Sequence, residues 1–243
     1  MAFSHIPLPS IEAAIREVCQ VLEQENYRTS PWERMTEDDL WHELVACILG
    51  SRVRFQVAYA AVERMDRANL LSERRRSSGY DEYEHDVMGA LWGTEKSPRT
   101  SNSQSRYPFP KLRANQIRGA AERFYARSGT IRNLLDSARD VRDARRRLAA
   151  EVAGLGPKQA SLFLRNIGYA AHVAVLDVHV LTYMNWVGLT TVPIKSVRTV
   201  RQYETLEDAF IEHACSVGYP PDRFDLAVWV VVRVAKKESE TWQ

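Results

Sequence analysis

Apolar residues recur three and four positions apart along most of the chain, and the strict alternation that marks a half-buried strand is scarce, so the sequence reads as all-α. A first helix turns Ile11, Ile15, Val18 and Leu22 to one face; Ser10 can cap it, and Pro31 interrupts the chain beyond its far end. Thr36 followed by Glu37, Asp38 and Asp39 opens a second helix that carries Leu40, Trp41, Leu44, Val45, Ile48 and Leu49 inward. Gly50 and Ser51 break the pattern before a third helix that runs to about Met65. A short helix is predicted from Asp81 to Leu91, and others over Leu112–Tyr125, Ile131–Ala138 and Val141–Ala153. The stretch 93–110, rich in Ser, Thr, Asn and Pro, predicts a mobile loop or insertion.

With 243 residues and 45% hydrophobic residues the chain can build a substantial core. Cys19, Cys47 and Cys215 lie too far apart for a zinc spacing or a disulfide framework and read as reduced, buried thiols. The opening MAFSHIPLPS lacks the features of a signal peptide, and the longest apolar run, Leu226 to Val232, is too short for a bilayer. A soluble cytoplasmic protein is expected. Charge changes the picture more. The net charge is only +2, yet Lys111 to Lys158 holds 12 Lys and Arg against 5 Asp and Glu, which leaves the remainder net acidic. That segment is a candidate phosphate-facing surface, with Arg145, Arg146 and Arg147 at its centre; a solvated helix face is the alternative.

The strongest local signal is VAGLGPKQASLF, residues 152–163. Gly154 and Gly156 bracket Leu155, and Pro157 stands where the first residue of a helix belongs. The pattern predicts helix, tight hairpin and helix over about 146–168, with backbone amides at a positive helix end that can hold a phosphate without reading sequence. Lys158 follows in the first turn, where the helix dipole and partial burial both favour the neutral amine. A lysine of ordinary pKa near 10.4 is only about 0.04% neutral at pH 7, so use as a nucleophile demands such a site. The other reading is a lysine that only grips phosphate.

Asp177, in AVLDVHVLTYM, lies 19 residues beyond Lys158. A helix from Pro157 to about Ile167 and a short connection can return the chain, with Asp177 at the start of the next helix near Lys158. Alone it reads as a helix cap. With the lysine it forms a nucleophile and a charge stabiliser suited to displacement at a sugar carbon of oxocarbenium character.

Residues 154–184 resemble the helix-hairpin-helix, Gly/Pro-rich loop and aspartate signature of the DNA glycosylase superfamily that includes endonuclease III and the 8-oxoguanine glycosylases. ASLFLRNIGY, from Ala160 to Tyr169, is most similar to the archaeal and bacterial 8-oxoguanine glycosylase/lyases, and DLAVW, from Asp225 to Trp229, resembles their carboxy-terminal helix. The resemblance implies Lys158 as Schiff-base lysine, Asp177 as catalytic aspartate, and His179 at a phosphate contact. It implies no metal and no cofactor: relatives of the endonuclease III branch carry a four-cysteine iron–sulfur cluster near the carboxy terminus, where only Cys215 stands here. Many relatives fill the gap left by a flipped base with a Gln or Asn after the second helix; here GSRVRF makes Ser51 or Arg52 the nearest candidate.

The expected architecture is therefore two helical lobes around a central cleft, residues 35–176 forming a basic lobe and 1–34 with 177–243 the other. The expected function is excision of an oxidised purine such as 8-oxoguanine from duplex DNA by a monomer in the cytoplasm, associated with the nucleoid. Gly154, Leu155, Gly156, Pro157, His179, Arg52 and Arg145–Arg147 would contact the backbone. Asp225 and Trp229, four residues apart on one helical face, would line the base pocket, or else serve as cap and core. The rivals are a non-catalytic DNA-binding hairpin and a monofunctional glycosylase in which Asp177 activates water.

Overall fold

The computed structural model describes residues 6–24, 31–77, 79–93, 107–170 and 172–241, and all regular structure among them is helical. The helices are α1 (Leu8–Gln24), α2 (Glu37–Leu49), α3 (Phe55–Arg67), α4 (Glu73–Arg76), α5 (Tyr80–Trp92), α6 (Pro110–Tyr125), α7 (Ile131–Asp136), α8 (Val141–Glu151), α9 (Pro157–Asn166), α10 (Val178–Trp186), α11 (Val200–Ser216) and α12 (Pro221–Thr241). None among the described residues is long and apolar enough to cross a membrane. Of the loop expected over 93–110, residues 94–106 lie outside the described residues.

The chain divides into two compact units, Pro31–Phe163 and Met1–Ser30 with Leu164–Gln243. This division and the sequence-based one differ over residues 31–34 and 164–176. In the Pro31–Phe163 unit, α2 is the central element: Leu40, Trp41, Leu44, Val45, Ile48 and Leu49 are all fully buried, as their spacing predicts. Thr36 starts it with a complete capping box, its hydroxyl accepting from Asp39 N and the Asp39 carboxylate accepting from Thr36 N. Glu37, on the same first turn, accepts from Tyr125 OH at 2.8 Å and from Ile131 N at 2.7 Å, which ties the start of α2 to the starts and ends of its neighbours. α4 carries a buried cation that the sequence pattern does not reveal. Arg76, 1% exposed, pairs with Asp38 at 2.5 Å and lies over the Tyr125 ring.

The other unit is built on α1, α10, α11 and α12, whose core includes Ile11, Ile15, Leu181, Met184, Phe210, Phe224 and Val228. α1 begins at Leu8, just after Pro7, whose carbonyl accepts from Ser10 N and Ile11 N, so Ser10 lies inside the helix and does not cap it. Cys19 and Cys47 are buried, but Cys215 is exposed near the end of α11, against the expectation of three buried thiols.

Candidate active site

The hairpin between α8 and α9 is set by backbone geometry. Leu155 N donates to Val152 O at 3.1 Å, closing a tight turn. Gly154 has a φ of +95°, a conformation strained for any L side chain, and a Cβ there would sit 2.6 Å from Gln116 Oε1. Gly156 is exposed, and a Cβ there would meet nothing within 4 Å, so its backbone lies open to a ligand. Pro157 opens α9 where its missing N–H costs nothing. Leu155 departs from its expected role: its side chain is 2% exposed and its N–H is already used in the turn, so it anchors the hairpin and offers DNA neither group.

Lys158 is half-buried in the first turn of α9, and its Nζ donates to Gln159 Oε1 at 2.9 Å. Gln159 is itself buried, 5% exposed, and its Nε2 donates to Cys47 O at the end of α2. That bond fixes the amide with its oxygen toward the lysine. Sequence reasoning passed over Gln159 because a polar residue on the first turn of a helix normally faces solvent.

Asp177 caps α10, Oδ1 accepting from His179 N at 2.8 Å and Val180 N at 3.0 Å; its Oδ2 has no hydrogen-bond partner among the described residues. The extended segment that delivers it is held by buried polar side chains. Glu207 accepts from Ala174 N at 3.2 Å, Asp225 from Val175 N at 2.5 Å, and the Tyr203 hydroxyl accepts from Leu176 N while donating to Ala174 O. Tyr203 and Glu207, one turn apart on α11, were missed in the sequence; an acidic residue on an otherwise apolar face was the available signal.

Asp225 is thereby corrected. It is 1% exposed, one oxygen pairs with Arg165 and the other takes Val175 N, so the carboxylate is committed within the chain and cannot read a base as expected. Burial pushes it up to about 7 against the pull of Arg165 and the Val175 amide. Trp229, one turn on, is half-buried under the Arg233 guanidinium, 4.9 Å from its ring centre. His179 is half-buried, its Nδ1 has no hydrogen-bond partner among the described residues, and burial holds it below the ordinary histidine value against the pull of Asp177.

The three consecutive arginines of α8 do not act together. Arg145 is fully buried; Arg147 donates to Leu134 O and Ser137 Oγ and lies 3.7 Å from Glu151; Arg146 is the exposed member. Successive helical residues point about 100° apart, so three in a row cannot share one face. Arg52 is exposed, with a φ of +62°. The structure thus gathers the hairpin glycines, Pro157, Lys158 and Arg52 in the Pro31–Phe163 unit, and Asp177, His179, Asp225 and Trp229 in the other.

The family described as 8-oxoguanine DNA glycosylase matches residues 92–219. The 8-oxoguanine DNA glycosylase/AP lyase of Sulfolobus acidocaldarius is 28% identical over 194 residues, 79% of this chain and 82% of that protein. Its counterpart in Sulfurisphaera tokodaii is 31% identical over 195 residues, again 79% and 82%. Among solved structures, Methanocaldococcus jannaschii 8-oxoguanine DNA glycosylase superposes with a TM-score of 0.68 at 20% identity over 91% of this chain and 92% of that one. In complex with a 15mer DNA containing 8-oxoguanine, the jannaschii enzyme gives 0.62, also at 20% identity, over 91% and 88%.

Proposed function

The chain belongs to the 8-oxoguanine DNA glycosylase family, and from that membership we propose that it excises an oxidised purine of the 8-oxoguanine kind from duplex DNA and cleaves the strand at the resulting abasic site. The observation that carries the reading is a half-buried amine, Lys158, held by a buried amide in the first turn after an open glycine hairpin. Phosphate contact at Gly156, with Arg52 and His179 contributing, positions the duplex. The target nucleotide leaves the stack, at a cost of a few kcal/mol that is smaller for a weakly paired damaged base. Trp229 offers the aromatic surface for that base.

The neutral Lys158 Nζ attacks C1′ as the glycosidic bond breaks, and the base departs with the bond's electron pair and takes up a proton. The Asp177 carboxylate, with Oδ2 uncommitted, stabilises the positive charge that develops on the sugar. Opening of the sugar ring gives a Schiff base on Lys158. Loss of a proton from C2′ then expels the 3′ phosphate by β-elimination. The enzyme acts as a monomer, on nucleoid DNA in the cytoplasm.

Borohydride trapping tests the assignment. Wild type incubated with an 8-oxoguanine duplex and borohydride becomes covalently attached, whereas Lys158→Gln binds the duplex without attaching. Base release without attachment by wild type would mean that Asp177 activates water; equal trapping of the variant would remove Lys158 from the mechanism.

A further inference from the structure

α3 opens with two aromatic side chains that the core does not use. Phe55 is 68% exposed and Tyr59 55% exposed, and they stack on each other one helical turn apart, ring centres 6.0 Å and planes within 28°. Large apolar rings left outside a core that buries Trp41, Tyr83 and Phe124 call for an occupant. The charge around them says which. Arg52 and Arg54 immediately precede the pair, both exposed, and neither guanidinium has a partner among the described residues. No Asp or Glu occurs between Glu43 and Glu63. An aromatic step flanked by unpaired cations is the chemistry that meets nucleic acid, bases on the rings and phosphates on the arginines.

The turn bearing these groups is built to hold position. Arg52 takes a left-handed backbone that an L residue rarely adopts, and Arg113 pins the turn by donating to Ser51 O at 2.6 Å. The same guanidinium donates to Gln116 Oε1 at 2.6 Å, and Gln116 packs against Gly154, its Oε1 2.6 Å from where a Cβ would stand. Two side chains of α6 thus join the aromatic turn to the hairpin that presents Lys158.

We propose that Phe55 and Tyr59 form a stacking platform for a nucleotide of duplex DNA unstacked beside the lesion, with Arg52 and Arg54 on the flanking phosphates. This rests on the DNA reading of the hairpin and adds to it a site that supplies affinity only where the stack is interrupted.

The test is equilibrium binding to a duplex carrying a tetrahydrofuran abasic analogue, which separates binding from excision. Phe55→Ala/Tyr59→Ala binds it about tenfold more weakly than wild type, as expected for loss of one stacked base, with an unchanged dependence on salt. Phe55→Trp retains affinity and Phe55→Leu, apolar but without a ring face, does not. Arg52→Ala/Arg54→Ala instead lowers the salt slope by about 2. Both rings are exposed, so melting temperatures stay at the wild-type value. Wild-type affinity in the double aromatic variant, or equal affinity of the Trp and Leu variants, overturns the platform and leaves the rings to a protein contact. Failure of wild type itself to bind the duplex would overturn the DNA reading instead.

Discussion

At Asp177 two roles that compete in the sequence are compatible in the structure, because a carboxylate has two oxygens. Oδ1 is used by the cap of α10, and Oδ2 is left over for the proposed contact with the sugar. Asn keeps an accepting oxygen for the cap but carries no charge. Asp177→Asn therefore lowers the single-turnover excision rate by at least about 100-fold, roughly 3 kcal/mol, with the melting temperature nearly unchanged. Asp177→Ala loses the rate and also about 1 kcal/mol of stability through the cap. Equal rates in Asn and wild type would confine Asp177 to capping. Asp225 behaves in the opposite way. Its removal leaves the buried Val175 amide and the partly buried Arg165 guanidinium without their carboxylate partner, so Asp225→Ala unfolds at a distinctly lower temperature. Loss of 8-oxoguanine excision with an unchanged melting temperature and intact cleavage of abasic sites would return Asp225 to the base pocket. Lys158 and Asp177 stand out in the sequence because their spacing and flanking residues are unusual. Gln159, Tyr203, Glu207 and the commitment of Asp225 are not legible there, since a buried polar residue looks like a surface one until its partner, from 27 to 112 residues away, is known.

The helices show why local pattern succeeds in some places and fails in others. α2 is readable from end to end because its cap, acidic first turn and apolar stripe all agree. α4, four residues long, is too short to show a period, and it is organised around Arg76, a charge that sequence reasoning assigns to the surface. The basic run on α8 fails for a related reason. Composition counts charges without regard to direction, while the helix sends Arg145 into the core and only Arg146 outward. Changing Arg145, Arg146 and Arg147 together to Ala consequently lowers the salt slope of DNA binding by no more than about 1, the contribution of a single phosphate contact, and lowers the melting temperature through Arg145. Comparing Arg146→Ala with Arg145→Ala by binding titration and thermal melting checks the division. A slope change near 3 with full stability would show that all three arginines reach phosphates.

For the molecule as a whole, the fold class follows from helical periodicity, and the activity rests on family membership joined to one hairpin and one aspartate. What neither the periodicity nor the motif contains is how stability responds to pH, because that depends on which groups tertiary packing strips of water. His179 and His213 are both held below the ordinary histidine value by burial, and His213 Nε2 lies 2.9 Å from the Tyr183 hydroxyl in the core built on α1 and α12. A histidine with a folded pKa below its unfolded value of about 6.5 is neutral in both states above that pH and contributes fully. As pH falls below about 6.5 the unfolded chain takes up protons that the folded one refuses, and stability is lost. Asp225 works with the opposite sign. Its folded value is raised to about 7, so the folded state binds the extra proton between about 4 and 7 and gains stability as pH falls through that window. Because the two act against each other, the wild-type profile alone cannot apportion them, and the informative quantity is a difference between proteins. Melting temperature measured from pH 8 to pH 5 falls less steeply in His179→Gln/His213→Gln than in wild type, with the two curves separating only below about pH 6.5, since Gln can still hydrogen-bond and cannot be protonated. Parallel curves across the whole range would show that neither imidazole is kept neutral by the fold.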